Sequence, residues 1–138
     1  MDDQQRYKDG MAVRRAVLGD QHVDRAQSNL NDFNADFQNL ITRYAWGEIW
    51  TRPGLSRDTR SLMTICMMVA LNREEELKLH IRAARNNGVT ADQIKEALLQ
   101  TAIYCGLPAA NAAFAIAQHV LKEMADMTVL KNSHDNEA

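Results

Sequence analysis

The stretch Glu74–Gln100, EEELKLHIRAARNNGVTADQIKEALLQ, decides the fold class. Leu77, Ile81 and Ala84 recur at helical spacing and form an apolar stripe. Gly88 then stands where a left-handed residue closes a helix. Thr90 and Gln93 follow at the spacing of a capping box, which opens another helix with Ile94, Ala97, Leu98, Thr101, Ala102 and Cys105 turned inward. Within this helical frame Glu76 and His80 lie four positions apart and share one face. Two readings are open for that pair: the ordinary flank of a surface helix, or the lining of a pocket.

Outward from this stretch the helical period persists, and no run alternates as a strand does. Met1 to Leu18 reads as an amphipathic first helix, loosened by Gly10 and ended near Gly19. Ser28 to Trp46 carries Leu30, Phe33, Phe37, Leu40, Ile41 and Tyr44 as a helical stripe. Pro53 and Gly54 mark a turn, and Ser56 is placed to cap a helix from about Arg57 to Leu71, with Asp58 in its first turn. That helix becomes apolar on nearly all sides, as central helices are. Pro108 suits the first turn of a long last helix, whose Ala-rich body is of a kind that often meets a partner subunit. The reading is one all-α domain over residues 1–127 and a frayed polar tail over 128–138.

Composition supports this. The 138 residues are 46% hydrophobic and 25% charged, the balance of a soluble globular chain. A net charge of -2 offers no footprint for nucleic acid, and no basic amphipathic run suggests a membrane surface. The acidic start, MDDQQRYKDG, has no signal-peptide pattern, so a cytoplasmic address is expected. Cys66 and Cys105 sit in apolar context and read as reduced packing residues.

Stand-alone catalytic signatures are missing: there is no CxxC, HExxH, GxGxxG, phosphate loop or GxSxG. No histidine has metal-site spacing, so no metal is expected. His22 and His134 read as solvated, and His119 as a satisfied core or interface histidine. His80 differs because Glu76 can orient it or stabilise its cation, and imidazole titrates near neutrality. A second cluster, RYAWGEIWTRPGLSRDTR from Arg43 to Arg60, holds both tryptophans, Trp46 and Trp50, with Glu48 between them and Arg52, Arg57 and Arg60 nearby. It reads either as an aromatic anchor with a solvated turn or as a small pocket for an anionic ring, since arginine offers a bidentate fork to carboxylates.

The blocks WGEIWTRPGLSRDTRSL, EEELKLHIRAARNNGVTADQIKEALLQ and YCGLPAANAAF, in that order, resemble the carboxymuconolactone decarboxylase family from about Phe33 to Met124. The likeness is closest to the branch that acts on 4-carboxymuconolactone in protocatechuate breakdown. The related alkylhydroperoxidase-like reductases carry CxxCxxxH on the equivalent helix. Here His80 fits that histidine, Glu76 stands at the second cysteine and Arg73 at the first. Without the dithiol, peroxide reduction lacks its thiolate and resolving partner, and the decarboxylase branch gains.

The resemblance implies an all-helical alkylhydroperoxidase-like fold, a homo-oligomer (commonly a hexamer built from dimers), no cofactor and a small anionic lactone as substrate. It also implies a carboxy-lyase reaction in the β-ketoadipate route of aromatic catabolism. The chemistry then places His80 as general acid with Glu76 orienting it, Glu48 as the rival donor, Arg52 and Arg60 on a substrate carboxylate, and Trp46, Trp50 and Tyr44 as ring walls. Rival readings are a decarboxylase or isomerase of another lactone or keto acid, a peroxidase-type reductase, and a non-catalytic helical oligomer.

Overall fold

A computed structural model describes the backbone of residues 2–137 and the side chains of residues 2–125. The chain is all-helical, with no strand among the described residues. Its contacts gather into two compact units, Met1–Arg60 and Ser61–Ala138.

The first unit opens with α1 (Asp3–Leu18), capped by the Asp2 carboxylate, which accepts from the Gln5 amide at 2.8 Å. Gly19, at φ 92°, separates it from α2 (Asp20–Ser28). Arg15 joins the two helices by reaching Asp20 at 3.1 Å and Asp24 at 2.8 Å.

The helical stripe expected from Ser28 to Trp46 is interrupted. Asn31 Oδ1 accepts from the amides of Phe33 and Asn34, and Asn34 Oδ1 accepts from the amide of Asn31. Short amide side chains that bond nearby backbone in this way compete with helix. The chain therefore turns there before α3 (Ala35–Ile41). Nor is the stripe inward: Phe33 is 98% exposed, and Phe37, Leu40 and Tyr44 are exposed as well.

From α3 the chain widens into a π-helix, Thr42–Ile49, and the Trp50 amide bonds the Ala45 carbonyl five residues back at 3.0 Å. α1 lies directly on it. A Cβ added at Gly10 would stand 2.1 Å from the Thr42 carbonyl oxygen, and one at Gly47 would stand 2.3 Å from that of Arg6. Gly10, expected to loosen α1, is thus the point where two backbones touch, a contact open only to glycine.

The second unit packs α5 (Glu74–Asn86), α6 (Ala91–Tyr104) and α7 (Leu107–Glu137) with the apolar face of α4 (Arg57–Ala70). Ile65 and Val69 from α4, Leu77, Ile81 and Ala84 from α5, and Ile94 and Leu98 from α6 share one core with Ala113, Ala117 and Val120 from α7. The Ala-rich face of α7 is therefore used inside the unit. Asn72, at φ 58°, turns α4 into α5, and Gly88, at φ 88°, closes α5. The capping box at Thr90 and Gln93 has both bonds, at 3.0 and 2.9 Å. The backbone of α7 is helical to Glu137, and the segment 128–138, expected as a tail, lies outside the residues whose side chains are described. No helix among the described residues is long and apolar enough to cross a membrane.

Candidate active site

In the first unit the π-helix gathers the aromatic and acidic candidates. π-turns are uncommon and recur at functional sites because they re-aim side chains. Trp46 is buried, and its ring centroid lies 5.1 Å from that of Trp50 at an interplanar angle of 33°. The two indoles therefore meet, as spacing of one helical turn implies, in the tilted geometry aromatic pairs favour. Tyr44 is 64% exposed.

Glu48 does not point freely into solvent. Its Oε2 accepts from Arg6 Nε of α1 at 2.9 Å, and Arg6 Nη1 also reaches Asp3 at 3.3 Å. Asp3 in turn meets Arg43 Nη1 at 3.5 Å. The hydrogen bond and charge of Glu48 hold the Arg6 guanidinium above its usual value, with Asp3 adding to the effect and burial opposing it. Asp3 and Arg43, with Gln4, Tyr7 and Asn39, line a cavity of about 510 Å³.

Arg52 is exposed in the turn after the π-helix, and the half-buried Arg60 donates from Nη2 to its carbonyl at 3.3 Å. Arg57 is exposed. Ser56 Oγ lies 3.0 Å from Thr59 Oγ1, and its hydrogen bond to Asp58, with that of the Thr59 amide, holds the Asp58 carboxyl below its usual range.

The second unit carries the remaining pair on α5. Glu76 is exposed in the first turn, beside Glu74 and Glu75, where acidic residues favour the helix dipole. His80, one turn on, is half-buried with Nδ1 out of solvent, next to Leu77 and Ile81 in the core.

One histidine reading is corrected. His22 is half-buried instead of solvated; burial, then the charges of Arg14 and Arg25, push its imidazole down. His119, read as a satisfied core or interface histidine, is exposed and outside the core, and its Nε2 meets Glu123 at 2.8 Å, a carboxylate that Arg82 also engages. His134 lies outside the residues whose side chains are described.

A wider groove lies elsewhere. It measures about 790 Å³ and runs between α4 and α6, with Met63, Cys66, Met67, Thr101, Tyr104 and Cys105 among its walls. None of the candidate site residues lines it, and its charged groups are Asp92 and Glu96. An anionic substrate would meet only like charge there, so size alone does not make it the reaction site. Cys66 and Cys105 are free thiols, and burial pushes the Cys66 thiol up, away from the reactive thiolate. Among the described residues no three His, Cys, Asp or Glu side chains converge as a metal site.

Two residues escaped the sequence reading. Arg6 is 42 positions from the Glu48 it binds, so no local spacing announces it. Arg14, 4% exposed, donates to Thr42 Oγ1 at 3.2 Å and to Gln38 Oε1 at 3.1 Å, and burial pushes its guanidinium down.

Comparison with known proteins places these features in a lineage. The model of the carboxymuconolactone decarboxylase family matches residues 35–119. The chain is 58% identical over 124 residues to the 4-carboxymuconolactone decarboxylase of Acinetobacter baylyi, covering 90% of this chain and 92% of that one. It is 42% identical over 120 residues to the nitrosuccinic acid decarboxylase of Metarhizium robertsii, covering 87% and 84%. A 48-residue 4-carboxymuconolactone decarboxylase sequence from Pseudomonas putida matches at 65% identity over its full length and 35% of this chain. The chain belongs to the carboxymuconolactone decarboxylase family.

Proposed function

We propose that this chain is a carboxy-lyase that converts 4-carboxymuconolactone to 3-oxoadipate enol-lactone and carbon dioxide without a cofactor. The observation that carries the reading is the 58% identity, over nearly the full length of both chains, to a relative named for that reaction. The chemistry explains why side chains suffice. The leaving carboxylate sits on the γ carbon of an unsaturated lactone. As its bond to the ring breaks, the electron pair flows through the ring double bond to the lactone carbonyl. The resulting furanolate takes one proton at the α carbon, which gives the shifted double bond.

Three tasks remain for the protein, and each has a candidate. Arg52 and Arg60 hold the acetate carboxylate that stays on the product, because guanidinium matches a carboxylate in geometry and charge. Preorganised donors or a cation stabilise the developing oxyanion. His80 protonates the α carbon with Glu76 orienting it, and Glu48 is the rival donor. Trp46, Trp50 and Tyr44 wall the ring. The leaving carboxylate is the less tightly clamped, since strong pairing would favour the ground state.

A second reading is favoured by the Metarhizium relative, whose name specifies a different acid. Nitrosuccinic acid is also a dicarboxylate with its own electron sink, the nitro group. Another substrate of that type, a dianion able to store the released electron pair, therefore stands behind the first. We also propose that the chain works as a homo-oligomer, a hexamer built from dimers. The exposure of Ile103, Tyr104 and Leu107, at 78%, 82% and 74% within one short stretch, supports association, since contiguous bare apolar surface marks interaction sites.

His80→Ala tests the assignment. Its kcat for lactone decarboxylation is expected to drop by about a hundredfold or more, the scale of a lost general acid. Turnover near that of the parent protein would remove His80 from the mechanism.

A further inference from the structure

We propose that Arg6 is a positioning residue for the reaction: its ion pair with Glu48 holds that side chain as an oriented carboxylate, which serves turnover as a fixed acceptor and not as the proton donor. The inference rests on the part given to Glu48 above and resolves it. Four observations within the first unit carry it. The pair is close, Nε to Oε2 at 2.9 Å, and both side chains are partly shielded, at 33% and 42% exposure. It is built by the backbone, because the Arg6 carbonyl lies against Gly47, the residue before Glu48, at a separation no side chain would allow. It falls on a π-helix, where the backbone departs from the α period to aim side chains. Finally, Arg6 is itself held, since Asp3 takes Nη1 and is taken by Arg43.

The consequence is chemical. Glu48 Oε2 is the acceptor in its bond with Arg6 Nε, and the rigid guanidinium fork fixes the direction of that carboxylate. With Oε2 on Arg6, Glu48 is committed as an acceptor, and the donor's part falls to the other candidate, His80. The effect assigned to Arg6 passes through Glu48, the side chain it binds.

The experiment compares Arg6→Gln, Arg6→Lys, Glu48→Gln and the double variant Arg6→Gln/Glu48→Gln in steady-state turnover of the lactone, with circular dichroism on each. Arg6→Gln is expected to lose about ten- to a hundredfold in kcat, the cost of a misplaced group, with KM within about twofold of the parent. Arg6→Lys recovers part of the loss, because an ammonium restores charge but not the fork. The double variant is no slower than Glu48→Gln alone, since the two changes remove one interaction. If Glu48→Gln is slow while Arg6→Gln turns over normally, the inference is overturned and the role of Glu48 stands. A loss in KM alone, or additive losses in the double variant, also overturns it, since Arg6 would then act independently. Should Glu48→Gln turn over normally, Glu48 leaves the reaction and the inference falls with it. If Arg6→Gln loses its helical spectrum, the comparison of Arg6→Lys with Arg6→Lys/Glu48→Gln decides on the same criteria.

Discussion

Replacing either glycine at the contact of α1 with the π-helix tests the packing that aims Glu48 and Trp46. In Gly10→Ala the new methyl would sit 2.1 Å from the Thr42 carbonyl oxygen and 2.8 Å from the Gly47 amide nitrogen. In Gly47→Ala it would sit 2.3 Å from the Arg6 carbonyl oxygen and 3.2 Å from that of Thr42. All of these obstacles are backbone, so none can swing aside, and the helices must part by about an ångström. Overpacking of this kind costs about 1–3 kcal/mol, and backbone obstruction places both changes at the upper end. Alanine returns about 1 kcal/mol through helix propensity. The net loss is about 2 kcal/mol, or a fall of about 8 °C in melting temperature. The double variant should lose less than the sum of the two, because helices already parted accept a second methyl cheaply. Gly54→Ala is the control: nothing lies within 4 Å of its added Cβ, and its melting temperature should stay near that of the parent. Thermal unfolding followed by circular dichroism reads all four proteins. Full stability in both Gly10→Ala and Gly47→Ala would refute the close approach and, with it, the means by which Arg6 reaches Glu48.

Other expectations follow from the same geometry. Arg60→Ala should lose kcat/KM for the lactone by tenfold or more while keeping its helical spectrum, the order expected for a hydrogen bond to a charged group; an unchanged value returns Arg60 to a turn-closing role on the Arg52 carbonyl. Thr90→Ala removes the N-cap bond to Gln93 and should cost about 1 kcal/mol in urea unfolding, with little effect on turnover at saturating substrate. His22 is pushed below its ordinary value, so in mild acid the unfolded chain binds its proton before the folded one does. Its contribution to stability is therefore complete above about pH 6.5 and is lost as pH falls toward the lowered folded value. His22→Gln should flatten that part of the stability profile, and an unchanged slope would show that the burial of His22 has no thermodynamic consequence.

Local grammar was legible and distant pairing was not. Thr90 and Gln93 lie three residues apart and bond each other, so their capping box is readable from spacing. The same holds for Gly88, whose positive φ closes α5, and for the buried stripe of Leu77, Ile81 and Ala84. Gly10 was misread because its neighbour Gly47 is far along the chain, and only the fold shows that the two mark a backbone contact. The Phe33–Tyr44 stripe carried helical period without an inward face, since period reports a common side and not what covers it. Asn31 and Asn34 broke the expected helix through side-chain bonds that compete with the backbone. At the candidate site, proximity of the two tryptophans followed from their spacing, while the Arg6 partner of Glu48 did not. The roles of His80, Arg52 and Arg60 came from family resemblance joined to reaction chemistry. Pattern alone favoured a surface reading for His80 and left Arg52 and Arg60 between a solvated turn and a pocket.

The central claim is cofactor-independent decarboxylation of the lactone, and one assay tests it directly. Enzymatically generated 4-carboxymuconolactone is added to purified protein that has been dialysed against a chelator and shown free of bound chromophore. Loss of substrate and release of carbon dioxide are followed together. The account predicts one equivalent of carbon dioxide per lactone consumed, at a rate unchanged by the chelator, with 3-oxoadipate enol-lactone as product. No release of carbon dioxide above the spontaneous rate, or release only after a metal or organic cofactor is restored, would contradict it.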